Sequence, residues 1–201
     1  MTEARVGRLV PACLHQAIQE TLPRRLDFYE HWLHSQALHD GSIGLAPMTA
    51  VLGFLRTEGE GYDQVVRRAG ALAAEWTVAS MSPFRRRLLA ALPSPMRVRA
   101  AMRVAADIVR EVSSGSHARR HVKRGRAYLE VNASLFCAVR DKQSMPLCGF
   151  YAATMEEALR AFGVPASGRP ERCHAVDGGI CVMGVDFGDR HAAVESGGSN
   201  R

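Results

Sequence analysis

Near residue 127 the hydrophobic periodicity of the chain changes, and this change constrains the fold more than any other feature. Upstream, apolar residues recur at helical spacing. In residues 9–22 and 25–38 they include Leu26, Tyr29, Leu33 and Leu38, with Pro23 between the two segments. After a turn at Asp40-Gly41-Ser42, residues 47–56 form a short amphipathic piece. A long helix over 62–80 carries Val65, Val66, Ala69, Leu72, Ala73 and Trp76 on one side. Ser82-Pro83 and Ser94-Pro95 each read as an N-cap Ser followed by Pro at the first helical position. They open helices that run through Leu92 and to about Val112. Downstream, residues 127–139 alternate, with Leu129, Val131, Ala133 and Leu135 on one face of a half-buried strand. Residues 146–162 return to helical spacing and close at Gly163. Residues 173–187 read as strand, turn and strand about Asp177-Gly178-Gly179. Helices first and an antiparallel sheet last make an α+β chain. Residues 188–201 are polar and Gly/Ser-rich, as a tail is.

Charge is distributed unevenly. The chain of 201 residues has a formal net charge of +6. Residues 84–126 hold twelve basic and two acidic residues, which leaves the remainder net acidic. Such a segment suits phosphates, an anionic surface, a ligand carboxylate or a protein docking face. Its end places Arg119, Arg120, Lys123 and Arg124 as anion-contacting candidates. The stripe has no interleaved aromatics and no recognition motif, which argues against nucleic acid as the partner. There is no apolar run of transmembrane length and no apolar stretch after the N-terminal charges. A cytoplasmic location is the expectation.

Five cysteines are too few for a disulfide scaffold, and in a reducing compartment they more often bind metal or react. Cys173 and Cys181 flank the expected hairpin turn, each four residues from Asp177, so pairing would set them nearly opposite. Cys148 falls in the first turn of the preceding helix, where the helix dipole favours a thiolate. Three thiolates and one further ligand complete a closed tetrahedral zinc site. Glu171 and His174 are the alternatives for the fourth place. Cys13 and Cys137 read as buried core thiols.

The stretch Leu147-Cys148-Gly149-Phe150-Tyr151-Ala152, a helix, then Glu171-Arg172-Cys173 and Cys181-Val182 resembles the 4-vinyl reductase, or hydrocarbon-binding, domain. Residues 62–112 are similar to the corresponding region of bacteriochlorophyll-biosynthesis 4-vinyl-reductase-type proteins. The resemblance covers roughly residues 45–187, leaving 1–44 as a helical extension and 188–201 as a flexible tail. It implies helices packed on a C-terminal antiparallel sheet, as in trafficking-complex subunits that hold an acyl chain, and it implies homodimers. In phenol-sensing transcription activators the domain is a ligand-binding input module with a structural zinc. Carried over, Cys148, Cys173 and Cys181 match the zinc cysteines, with Glu171 as the acidic ligand.

A reductase needs a hydride source, yet the sequence holds no dinucleotide fingerprint after a strand and no readable catalytic spacing. The expectation is therefore a non-catalytic protein for a hydrophobic small molecule, with a tetrapyrrole precursor as the specific candidate. Trp76, Met81, Phe84, Phe136, Phe150 and Tyr151 are the candidate pocket walls. Basic residues suit propionate carboxylates, and His117 or His121 is a candidate ligand for a pigment's metal. The competing readings are a regulatory or scaffold protein docking through residues 84–126, and an accessory subunit of a tetrapyrrole reductase or chelatase.

Overall fold

The computed structural model describes residues 5–33, 42–123 and 125–187. Strand β1 (Arg5–Gly7) pairs antiparallel with β2 (Ser42–Gly44) beside helices α1 (Leu9–Thr21), α2 (Leu26–Leu33) and α3 (Leu45–Arg56). Three further helices follow: α4 (Glu60–Ala79), α5 (Pro83–Ala90) and α6 (Ser94–Val112). The sheet is built from β3 (His117–Lys123), β4 (Arg126–Asn132), β5 (Ala166–Arg172) and β6 (Cys181–Phe187), in the order β3-β4-β6-β5 with every neighbour antiparallel. Helix α7 (Gly149–Ala161) lies between β4 and β5 in the chain, and the one-turn α8 (His174–Asp177) lies between β5 and β6. This is the α+β arrangement expected, with helices on an antiparallel sheet.

One continuous core joins the layers. From β4 it receives Ala127, Leu129 and Val131, and from β6 Cys181, Met183 and Val185, in each case every second residue of the strand. Helix α6 contributes Val98, Ala101, Met102, Ala105, Ile108, Val109 and Val112 at helical spacing. Helix α1 adds Val10, Leu14, Ala17 and Ile18, all fully buried. The tightest helix contact is between α4 and α7. A Cβ at Gly70 would stand 2.1 Å from the Phe150 carbonyl oxygen. Thr154 sits in the same seam, and its hydroxyl donates to Phe150 O at 2.9 Å and Gly70 O at 3.1 Å. The two backbones can approach this closely because position 70 has no side chain.

Several boundaries depart from expectation. The strand read over 127–139 ends at Asn132, where Ala133 takes φ 52 and the chain turns into a 3-10 helix at Leu135–Cys137. Ser82 does cap α5, accepting from Arg85 N at 3.3 Å, but the N-cap of α6 is Pro93, with Ser94 already helical. The expected strand at 173–176 is instead the helix α8, and the strand that pairs with β6 lies earlier, at Ala166–Arg172. That segment contains Gly168 and Pro170, which obscure a strand in sequence. Pro170 is tolerated because β5 is an edge. Strand β3 was likewise concealed by its charges, which an exposed edge strand carries without cost and which discourage edge-to-edge pairing. Residues 34–38 of the second expected helix, most of the turn at 40–42, and the 188–201 tail lie outside the described residues.

Substituting Gly70→Ala is expected to lower stability by about 1–3 kcal/mol through overpacking of the α4–α7 seam. Gly53→Ala, on α3 with no atom within 4 Å of the added Cβ, should instead raise it by roughly 0.5–1 kcal/mol. Urea denaturation of both variants measures the contrast.

Candidate metal centre

Four segments end at one buried point. Cys137 closes the 3-10 turn that follows β4, and Cys148 is the N-cap of α7. Cys173 follows β5 as the N-cap of α8, and Cys181 opens β6, where it pairs with Val131 of β4. All four are buried, and their sulfurs lie within 4.8 Å of one another. The Cys137–Cys173 and Cys137–Cys181 separations are 3.4 and 3.5 Å. Around a tetrahedral zinc with Zn–S of about 2.3 Å, sulfurs stand about 3.8 Å apart. The donor set is thus of the right number, softness and spacing for a zinc or similar thiophilic ion.

Backbone groups complete the site. Leu147 N–H donates to the Cys173 sulfur, and His174 N–H donates to the Cys181 sulfur, each at 3.3 Å. Such bonds stabilise thiolates and orient metal ligands. Hydrogen bonds from Cys137, Cys148 and Cys181, aided by Leu147 N–H, hold the Cys173 thiol far below its ordinary range. Cys148 is pushed up, first by its hydrogen bond to Cys137, then by those to Cys173 and Cys181 and by burial. Four thiols packed this closely cannot all ionise unless a cation lies between them.

Side chains on the helices brace the ligand loops. Tyr62 Oη on α4 donates to Leu147 O at 2.9 Å, next to Cys148. Arg56 on α3 donates to Phe136 O at 3.0 Å, next to Cys137. Gln143 N–H donates to Ala175 O at 2.8 Å, tying the 138–147 loop to α8. Cys13 is apart from the group, in the α1 core, where burial and then Glu75 push its thiol up to about 12.

Cys137, rather than Glu171 or His174, lies with the other three sulfurs. Glu171 turns away to an ion pair with Arg126 at 2.6 Å, and His174 Nδ1 meets Gly179 O at 2.6 Å. Cys137 reads in sequence as a core residue because an unbroken strand over 127–139 would give it the same inward face as Leu129. The Asn-Ala-Ser break after Val131 was the available signal for a turn.

Beside the four cysteines lies a cavity of about 530 Å³. Its wall includes Leu45, Ser113, Val131, Ser134, Leu135, Cys137, Val139, Arg140 and His174. The Cys137 turn forms one side of it, with His174 and Gly179 next to the other sulfur-bearing segments, Leu45 from α3 and Ser113 from the end of α6. The hydroxyls of Ser134 and Tyr151 are buried.

The expected pocket residues do not share this cavity. Phe136, Phe150 and Tyr151 are fully buried and packed on one another, with ring centroids 4.6–5.5 Å apart. Met81 is partly buried against the core. Trp76 is 37% exposed, on the outer side of α4 rather than with Val65 and Ala69, and Phe84 on α5 is 76% exposed. The basic candidates are separated by the two-residue period of β3, with Arg119 and Lys123 at alternate positions to Arg120. Arg124 lies outside the described residues.

No family model matches the chain, and no curated protein is similar to it in sequence. Among solved structures, the fold is similar to that of an H-NOX protein mutant from K. algicida in its Fe(II) unliganded form. That likeness has a TM-score of 0.55 at 11% identity, and covers 92% of this chain and 97% of the other. The phenol-responsive sensory domain of the transcription activator PoxR, crystallised with phenol, matches with a TM-score of 0.46 at 10% identity, over 73% of this chain and 77% of that one.

The geometry separates the two ligand sets. Cys137→Ser should reduce bound zinc in never-chelated protein well below that of the parent chain. Glu171→Gln and His174→Ala should leave it unchanged. Elemental analysis of the three purified variants decides between them.

Proposed function

We propose that this chain is a non-catalytic binding protein for a hydrophobic small molecule, with its binding site held in shape by a zinc tetrathiolate of Cys137, Cys148, Cys173 and Cys181. One observation carries the reading. The 3-10 turn that supplies Cys137 walls the adjoining cavity together with His174 and Gly179, which neighbour Cys173 and Cys181, so holding these sulfurs on one ion would fix that wall. Isolated loops of this kind would otherwise lose conformational freedom on folding with little burial in return. Closed four-thiolate sites are structural, because no position is left open for substrate.

The cavity has the character of a ligand site. Its volume falls within the roughly 300–1,000 Å³ usual for small-molecule pockets. Leu45, Val131, Leu135, Ala138 and Val139 offer an apolar surface, and Arg140 and the Ser134 hydroxyl offer polar contacts. Ser134 Oγ is buried with no hydrogen-bond partner, and a ligand atom would satisfy it. Within this reading the ligand is a tetrapyrrole precursor, its carboxylate meeting Arg140, in keeping with the resemblance to 4-vinyl-reductase-type proteins. In the same reading, residues 45–187 form the binding unit and 1–44 a helical extension. The setting is cytoplasmic, where the thiols stay reduced, and the protein acts as a homodimer. Among the described residues no helix is long and apolar enough to cross a membrane.

Two measurements test this. The purified protein should contain about one zinc per chain, and Cys148→Ser should lose it and melt at least about 5 °C lower. Less than about a tenth of an equivalent in never-chelated protein would sink the metal centre. Porphyrin precursors, phenols and fatty acids are then screened for thermal stabilisation. A true ligand at a hundred times its Kd adds about 2.7 kcal/mol. Ala138→Trp, at an exposed wall position, should abolish that shift and leave zinc content intact. Melting unchanged by all three ligand classes would count against the binding role.

A further inference from the structure

Much of the basic segment is engaged within the fold. Arg97 donates to Phe162 O and Gly163 O at the C-terminal end of α7, where a cation complements the helix dipole. Arg110 pairs with Asp107, and Arg126 pairs with both Glu171 and Asp186. Arg99, Arg103 and Arg120 differ from these. Among the described residues, no side chain of the three makes an ion pair or hydrogen bond. Yet they converge on one groove of about 600 Å³ between α6 and the edge strand β3.

The groove has two kinds of surface. Arg99 and Arg103 stand four residues apart on α6, a spacing at which like charges repel by a few tenths of a kcal/mol. Arg120 faces them from β3, with His121 at the rim. Asp107, one turn along α6 from Arg103, pairs with Arg110; Asp186 pairs with Arg126, and Glu130 lies 3.9 Å from His121. Beneath the cations lies an apolar floor of Val98 and Met102 from α6 and Phe187 from β6, with Val98 and Met102 buried. Three guanidiniums without counter-charge over an apolar floor call for a ligand with concentrated negative charge and an apolar body. A single carboxylate would occupy one guanidinium fork, whereas a diphosphate has enough oxygens and charge for all three.

We propose that the groove between α6 and β3 is a binding site for a soluble diphosphate bearing an apolar group, with Arg99, Arg103 and Arg120 holding the diphosphate and Val98, Met102 and Phe187 contacting the apolar part. This site is separate from the cavity at the four cysteines and does not rest on the function proposed for that cavity.

The test is calorimetric titration of the intact, zinc-replete protein with sodium pyrophosphate and with geranyl diphosphate. Both should bind, and geranyl diphosphate should bind at least about tenfold more tightly because it covers the apolar floor. The double variant Arg99→Ala/Arg103→Ala should weaken both by about tenfold or more. A control, Arg85→Ala/Arg86→Ala on exposed α5, should change either by less than about threefold. Both variants alter exposed side chains, and unchanged circular dichroism and zinc content verify their folds. The proposal is overturned if neither compound binds up to about 1 mM, or if the α5 control loses as much affinity as the groove variant. Binding to phosphatidylglycerol vesicles with no binding of either soluble diphosphate would also overturn it, and would assign the charge to a membrane surface.

Discussion

The structure depends on where the first turn of α7 is held. Gly70 admits the α7 backbone against α4, and Thr154 bridges both helices from within the seam. With α7 fixed, Cys148 at its N-terminus becomes a fixed point. Tyr62 on α4 then anchors the preceding residue, and Arg56 on α3 anchors the residue before Cys137. The sulfur cluster is therefore built by helix packing as much as by the loops that contain it. A zinc ion there would join the end of β4, the start of α7, the end of β5 and the start of β6, which are distant in sequence. That is the arrangement in which a cross-link removes the most freedom from the unfolded chain.

The electrostatics follow the same division between framework and site. Arg97, Arg110 and Arg126 answer helix ends and carboxylates and hold parts of the fold in place. Arg67 does likewise with Glu156 and the Gly168 carbonyl, between α4 and the β5 edge. Partly exposed pairs of this kind contribute little stability singly, but they fix register where strands lack apolar side chains. Strand β5, with its Gly and Pro, is such a place. Arg99, Arg103 and Arg120 have no role of this sort, and their uncompensated charge sets them apart within the basic segment.

Much of the fold could be read from the sequence. The helices from Leu9 to Val112 follow apolar spacing that a one-sided core enforces, and Ser82-Pro83 marks the start of α5 for a local reason. The strands were less legible. β3 is an edge rich in charge, and β5 is an edge with Gly and Pro. Neither displays the alternation that a half-buried strand requires. Trp76 shows the limit of periodicity, since a residue at the margin of an apolar stripe can fall to solvent depending on how the helix is rotated against its neighbours.

The sequence by itself determined the α+β division, because apolar period reflects which backbone geometry can bury one face. It also marked Cys148, Cys173 and Cys181 as a group, through their closeness around two expected elements. Only the tertiary structure brought in Cys137 and sent Glu171 to Arg126. The reason is geometric. Ala133, at φ 52, follows the end of β4 at Asn132, and the 3-10 turn beyond it carries Cys137 out of the strand's two-residue alternation. The convergence of Arg99 and Arg103 with Arg120 was likewise decided in three dimensions, because the distance between a helix and a strand is set by the core between them and leaves no periodic trace in the chain.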